Sequence, residues 1–111
     1  MTVLSSEASA RLPALRGRIL RMIHDAQAGH PGGSLSVIDL LAVIMLDKGR
    51  FTGDADLRDW LVLAKGHAVP ALYAMLVELG DLEESELASY RHLGSRLQGH
   101  PDRRKTPGEQ V

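Results

Sequence analysis

Residues 28–36 of the chain read Ala-Gly-His-Pro-Gly-Gly-Ser-Leu-Ser and separate two segments of helical periodicity. The glycines allow positive φ angles and a close approach of the backbone to a ligand, while Pro31 fixes one φ angle between them. A histidine on so rigid a turn is either presented to a ligand or simply half exposed after a helix C-cap at Gly29. This stretch alone favours neither interpretation.

Two later stretches repeat the arrangement. Residues 64–70 read Ala-Lys-Gly-His-Ala-Val-Pro, and residues 94–102 read Gly-Ser-Arg-Leu-Gln-Gly-His-Pro-Asp. His30, His67 and His100 therefore each follow a glycine directly, with a proline close behind. Three Gly-His turns in so short a chain indicate a common site.

The composition is that of one small globular domain. The chain has 111 residues, 44% hydrophobic and 24% charged, with a formal net charge of −1, which argues against a nucleic-acid partner. It contains no cysteine, which excludes disulfides and thiolate metal sites. No apolar run approaches the roughly 20 residues of a membrane span. We therefore expect a soluble, cytoplasmic protein with neither a nucleic-acid nor a membrane partner.

Hydrophobic periodicity predicts a mostly helical chain. Ser5 or Ser6 is the expected cap of the first helix, and residues 36–39 resemble a capping box for the second. Gly80 is expected to end the third. The predicted helices cover residues 5–28, 37–46, 69–79 and 83–93.

One segment has the pattern of a buried strand. Residues 60–63, Trp-Leu-Val-Leu, form a continuous apolar run that is typical of a parallel sheet covered on both faces. A single strand cannot form a sheet, because its unpaired N–H and C=O groups are costly to bury. Either this segment is no strand, or the other strands come from elsewhere. The pattern of residues 37–46 also predicts a helix that is apolar all round, and such a helix needs cover from more than one direction. We therefore favour an incomplete folding unit.

Histidines on glycine turns are compatible with two kinds of site. Neutral imidazole is a common metal ligand, but spacings of 37 and 33 residues without accompanying carboxylates disfavour a metal site. The second kind is an anion or polyol site at a helix N-terminus, where phosphates bind. His67, between the predicted strand and a helix, is the best phosphate candidate. His30 and His100 are candidates for hydrogen bonds to hydroxyls and for proton exchange.

In this order and spacing, the three turns resemble the N-terminal part of transketolases. The resemblance covers roughly residues 15–108 and is strongest to bacterial and archaeal enzymes whose two halves are separate polypeptides. Ala64 stands where the family usually has serine and Trp60 where it often has arginine, and we expect neither change to abolish binding. The matching stretches are residues 19–24, 29–36, 63–68, 70–74, 93–102 and 105–108.

The resemblance implies an α/β fold. Residues 1–111 would be a partial N-terminal thiamine diphosphate-binding domain, part of a doubly wound parallel sheet, with one core strand at residues 60–63. We expect a loosely ordered start over residues 1–14 and a loop over residues 94–111.

The same resemblance implies a transferase of carbohydrate metabolism, in the pentose phosphate pathway, that moves a two-carbon ketol unit between sugar phosphates. Its cofactor would be thiamine diphosphate with Mg²⁺ or Ca²⁺. The histidine matching His67 contacts the cofactor's diphosphate in the family. Those matching His30 and His100 bind sugar hydroxyls, and the one matching His30 is also placed to help proton transfer, as a catalytic residue.

The family pattern continues beyond the residues given. After Gly108 it has a Gly-rich cofactor loop and then a Gly-Asp-Gly motif and an asparagine that hold the metal, whereas residues 109–111 here read Glu-Gln-Val. The resemblance therefore implies complementing transketolase chains that carry the metal ligands and the pyrimidine-binding domain, and a chain that is inactive alone. The alternative is a truncated, non-catalytic remnant or an interaction module of transketolase ancestry.

Overall fold

The computed structural model describes residues 5–102 and 104–106. Within these residues the chain forms three α-helices and no strand, and no helix has the length and apolarity needed to cross a bilayer. The helices are α1 (Ser6–Ala26), α2 (Pro31–Ala42) and α3 (Val69–Leu79). A π-helical segment, Val43–Lys48, continues α2, and short 3₁₀ segments span Ala55–Leu57, Gly66–Ala68 and Glu84–Ser89.

Helix α1 begins and ends with local caps. The Ser5 hydroxyl accepts a hydrogen bond from the N–H of Ala8 at 3.0 Å, which confirms the predicted cap. The helix ends at Gln27, whose φ of 53° is left-handed and whose N–H donates to the carbonyl of His24 at 3.1 Å. The C-cap that one of the two interpretations placed at Gly29 therefore lies two residues earlier.

Helix α2 begins earlier than the sequence pattern predicts. His30 is its N-cap and Pro31 its first residue, a position where the fixed φ of proline suits the helix. The capping box expected over residues 36–39 is wrong, since this stretch lies inside α2. The Asp39 carboxylate accepts a hydrogen bond from Arg16 at 2.5 Å instead of capping the helix.

Helix α3 lies at the centre of the core. Residues 69–76 are all buried, because α1 and α2 both pack against them. Gly80, with a φ of 89°, ends α3 and donates its N–H to the carbonyls of Leu76 and Val77, as predicted. The core also takes in the buried stripe of α1, formed by Leu12, Leu15, Ile19 and Met22.

The predicted core strand does not form. Residues 60–63 have no regular secondary structure, and Trp60 and Val62 are 70% and 65% exposed. A strand needs the backbone of a second strand, and the described part of the chain offers none. The mostly helical structure agrees with a fragment, while the sheet itself is not seen.

The C-terminal third is less helical than predicted. In place of a helix over residues 83–93 there is the 3₁₀ segment Glu84–Ser89, and Arg91 has a left-handed φ of 65°. From Gly94 onward the described residues form turns. Of the segments discussed above, residues 1–4 of the expected loose start and residues 103 and 107–111 of the expected loop lie outside the described residues.

Candidate functional site

The three Gly-His turns converge on one surface. The ring centroids of His30 and His67 are 4.8 Å apart, and those of His67 and His100 are 4.5 Å apart. The Nε2 atoms of His67 and His100 lie within hydrogen-bond distance, 3.1 Å, with the donor set by the tautomers. All three imidazoles are at least partly exposed. The structure thus brings together all three site residues expected from the sequence, in a row with His67 in the middle.

The first turn presents an open helix N-terminus. His30 has a φ of −120° and a ψ of 95°, and no side chain caps the first turn of α2. That turn holds no acidic residue, and a Cβ atom added to Gly32 would meet nothing within 4 Å. Backbone N–H groups at such an end attract anions.

The second turn presents the same chemistry before α3. Lys65 precedes the 3₁₀ segment Gly66–Ala68, which has no side-chain cap and no acidic residue in its first turn. The N–H of Ala68 donates to the carbonyl of Lys65 at 2.9 Å, and this tight turn leaves Lys65 and His67 accessible. Ammonium, imidazole and backbone N–H groups are all donors, so this set fits an anion such as a diphosphate.

The third turn is held to the rest of the fold by hydrogen bonds below His100. The hydroxyl of Tyr73, on α3, donates to the carbonyl of Gln98 at 2.7 Å. Thr106, which is 1% exposed, donates its hydroxyl to the carbonyl of Arg96 at 2.6 Å. The turn that carries His100 is therefore fixed at residues 96 and 98, just before the histidine.

Two buried tyrosines connect the first and third turns, and the sequence analysis missed both. Tyr73 and Tyr90 are in edge-to-face contact, with ring centroids 6.0 Å apart. The Tyr90 hydroxyl would lie 3.5 Å from a Cβ atom on Gly29, and burial raises the pKa of Tyr90 although Arg91 opposes the shift. A usable signal was Tyr73 on the apolar stripe of α3, since a buried tyrosine needs a hydrogen-bond partner.

Metal-ligand geometry is not found in this part of the protein. No group of three or more His, Asp or Glu side chains among residues 5–102 and 104–106 is arranged to hold a metal ion. Asp102, which follows the third turn, pairs with Arg104 at 3.1 Å, and hydrogen bonds from Arg104 lower the pKa of its carboxyl group.

Comparison with known proteins identifies the relatives of this chain. It is 38% identical over 91 residues to transketolase-like protein 2 of Mus musculus, which covers 78% of this chain and 14% of that protein. It is 39% identical over 79 residues to transketolase of Homo sapiens, covering 68% and 13%. It is 36% identical over 89 residues to one of the subunits of apulose-4-phosphate transketolase from Phocaeicola vulgatus, covering 78% and 32%.

The matches therefore span a third or less of each of these proteins. A family profile described as "Transketolase, thiamine diphosphate binding domain" matches residues 9–111, nearly the whole chain. The resemblance to the N-terminal section of transketolases is thereby confirmed. The chain belongs to the family of the transketolase thiamine diphosphate-binding domain.

Proposed function

We propose that residues 1–111 form a partial N-terminal thiamine diphosphate-binding domain of a transketolase-type enzyme, a transferase that moves a two-carbon ketol unit between sugar phosphates. The observation that carries this proposal is the row of His30, His67 and His100, with neighbouring ring centroids 4.8 and 4.5 Å apart. The row lies beside two helix N-termini that hold no acidic residue, in a chain of this family.

His67 is the proposed contact of the cofactor's diphosphate. Its support is the position before α3, between exposed Lys65 and the first turn of that helix. When bound, thiamine diphosphate supplies the chemistry by which the carbon–carbon bond is broken and formed. The task of these residues is to bind and orient its phosphate end.

His30 and His100 are the proposed partners of the sugar hydroxyls, on either side of His67. Both rings are exposed, and imidazole both donates and accepts hydrogen bonds. His30 is also the proposed catalytic residue, because imidazole is the side chain that most often serves as a general acid or base, and His30 is the N-cap residue of a helix end that no side chain caps.

The remainder of the enzyme is proposed to complete this domain. Mg²⁺ or Ca²⁺ would be held by other residues of the enzyme, because residues 5–102 and 104–106 contain no cluster of three metal ligands. Strands of a doubly wound sheet from the rest of the enzyme would pack against residues 60–63, whose exposed Trp60 and Val62 support a missing neighbour. A second polypeptide is one source of these strands, since the Phocaeicola vulgatus relative is itself named as a subunit. On this proposal the 111 residues alone do not catalyse ketol transfer.

The first test uses the complete enzyme, meaning these residues together with the metal-binding and pyrimidine-binding parts. His30→Ala is expected to lower kcat for ketol transfer by about 10²-fold, the contribution of a positioned acid–base group. His24→Ala is the matched control, since His24 is also exposed but lies on the last turn of α1. Equal kcat values for the two variants would remove His30 from the reaction.

Intact-mass analysis of native complexes separates the proposal from its alternative. A stoichiometric partner, or a longer chain, that carries a Gly-Asp-Gly metal motif supports the enzyme. The 111-residue chain found without such a partner supports a non-catalytic remnant or an interaction module. The exposed apolar residues Leu57, Trp60 and Val62 are the surface that a partner would cover.

A further inference from the structure

The second and third turns touch at Gly66. A Cβ atom added to Gly66 would collide with Nδ1 of His100 and would lie 2.8 Å from Cε1 and 3.2 Å from Cγ of the same ring. Real Cβ atoms essentially never approach other atoms closer than 3.0 Å. A side chain at residue 66 is therefore incompatible with the position of the His100 imidazole.

The backbone at residue 66 does not itself require glycine. Among the described glycines, those with a positive φ are Gly29, Gly53, Gly80 and Gly94. Gly66 lies instead in a 3₁₀ segment with an ordinary φ, which alanine adopts without strain. The three heavy atoms nearest to the added methyl group all belong to the His100 ring, so the collision is with His100.

The loop that carries His100 cannot easily shift to relieve the collision. Its beginning is anchored at the carbonyl of Gln98, which accepts the hydrogen bond from buried Tyr73. The carbonyl of Arg96, earlier in the same loop, accepts a hydrogen bond at 2.6 Å from the hydroxyl of Thr106, which is 1% exposed. The ring would have to rotate away, and its 3.1 Å contact with Nε2 of His67 would be lost.

We propose that Gly66 is a positioning residue. Because it has no side chain, the His100 imidazole can pack against the His67 imidazole, an arrangement that we call the seating of His100. Gly66 thereby sets the separation between the sugar-binding and diphosphate-binding histidines. The consequence for catalysis rests on the proposed function, whereas the seating of His100 does not.

Gly66→Ala in the complete enzyme tests the seating by diethyl pyrocarbonate modification, followed by peptide mass spectrometry. The modification rate of His100 is expected to rise about two- to tenfold, the factor that corresponds to losing one hydrogen bond. Gly17→Ala, on α1, is the control, because its added Cβ atom meets nothing within 4 Å. An unchanged His100 rate in Gly66→Ala overturns the positioning role.

Kinetics test the consequence. Gly66→Ala is expected to lower kcat/KM for the sugar donor by up to about 10²-fold, as a misplacement of about 1 Å can do. The affinity for thiamine diphosphate is expected to stay the same, since His67 keeps its own turn. If Gly66→Ala raises the modification rate of His100 but the wild-type enzyme shows no ketol transfer, the seating is supported and the proposed function is contradicted.

A double variant tests whether Gly66 acts through His100. In a His100→Ala background the colliding ring is absent, so Gly66→Ala should fold normally and have no further effect on kcat/KM. A full additional loss in that background shows that Gly66 acts by another route and overturns the proposal.

Discussion

Two apolar stretches lie around the second Gly-His turn, and they are buried to different extents: residues 60–63 contribute Leu63 to the core but leave two large side chains exposed. Residues 69–76 of α3 are entirely buried, whereas Trp60 and Val62 in residues 60–63 are 70% and 65% exposed. A helix pairs its own backbone N–H and C=O groups, and α3 has α1 and α2 as neighbours. An extended segment needs the backbone of another strand. An apolar run therefore specifies burial only together with a partner that supplies it.

The largest expected effect lies in the buried stretch. Leu76→Ala removes a side chain that is 0% exposed, and the lost contacts and the cavity should lower the free energy of unfolding by about 2–5 kcal/mol. Chemical denaturation of the purified protein measures the change. Leu93→Ala, at a fully exposed leucine, should stay within about 0.5 kcal/mol of the wild type. Similar losses in both variants would show that the burial of a leucine does not decide how much it stabilises the fold.

A smaller effect is expected at the N-terminus of α1, where the first backbone N–H groups have no partner inside the helix. Ser5→Ala removes the hydroxyl that caps α1 and should lower the free energy of unfolding by about 1 kcal/mol. Ser6→Ala is the control, because the neighbouring serine is exposed and its hydroxyl does not cap α1. An equal effect of the two substitutions would show that the cap is unimportant.

The same cap predicts a pH dependence. The backbone N–H and the hydroxyl of Ser5 each donate a hydrogen bond to the Asp47 carboxylate at 2.7 Å. Both lower the pKa of that carboxyl group, the backbone N–H more than the hydroxyl. A lowered pKa means that this stabilisation is complete above the ordinary range of an aspartate and is lost as the pH falls through the lowered value. Ser5→Ala should therefore raise the pKa of Asp47, as seen by carboxyl NMR titration, and an unchanged value would contradict the contact.

The smallest effect is expected at an exposed side chain of residues 60–63. Val62→Ala should change the free energy of unfolding of the chain alone by no more than about 0.5 kcal/mol, because Val62 is 65% exposed. Backbone amides of residues 60–63 should exchange hydrogen rapidly in the chain alone and slowly in the complete enzyme. Slow exchange in the chain alone would mean that this segment has a partner already.

Local signals made part of the fold predictable. The periodicity of α1 and α3 and their ends at Ser5 and Gly80 depend on residues within one or two turns, so the sequence alone was sufficient there. The strand over residues 60–63 failed because its formation depends on distant backbone. The start of α2 at Pro31 was missed because a capping-box pattern five residues later looked stronger than a proline at the first helical position.

The candidate site was predictable in its members and not in its contacts. The repeated Gly-His pattern named His30, His67 and His100, and the fold brings their rings together. The close approach of Gly66 and His100 depends on how a turn 34 residues later packs against α3, and no local pattern reports that.

Binding of thiamine diphosphate to the complete enzyme tests the central claim, that His67, in the middle of the histidine row, contacts the diphosphate of this cofactor. Isothermal titration calorimetry would compare the wild type, His67→Ala and the exposed control His24→Ala. Loss of a hydrogen bond to a charged group should raise Kd for His67→Ala by about 10- to 100-fold, with His24→Ala unchanged. The same Kd in all three proteins would contradict the claim.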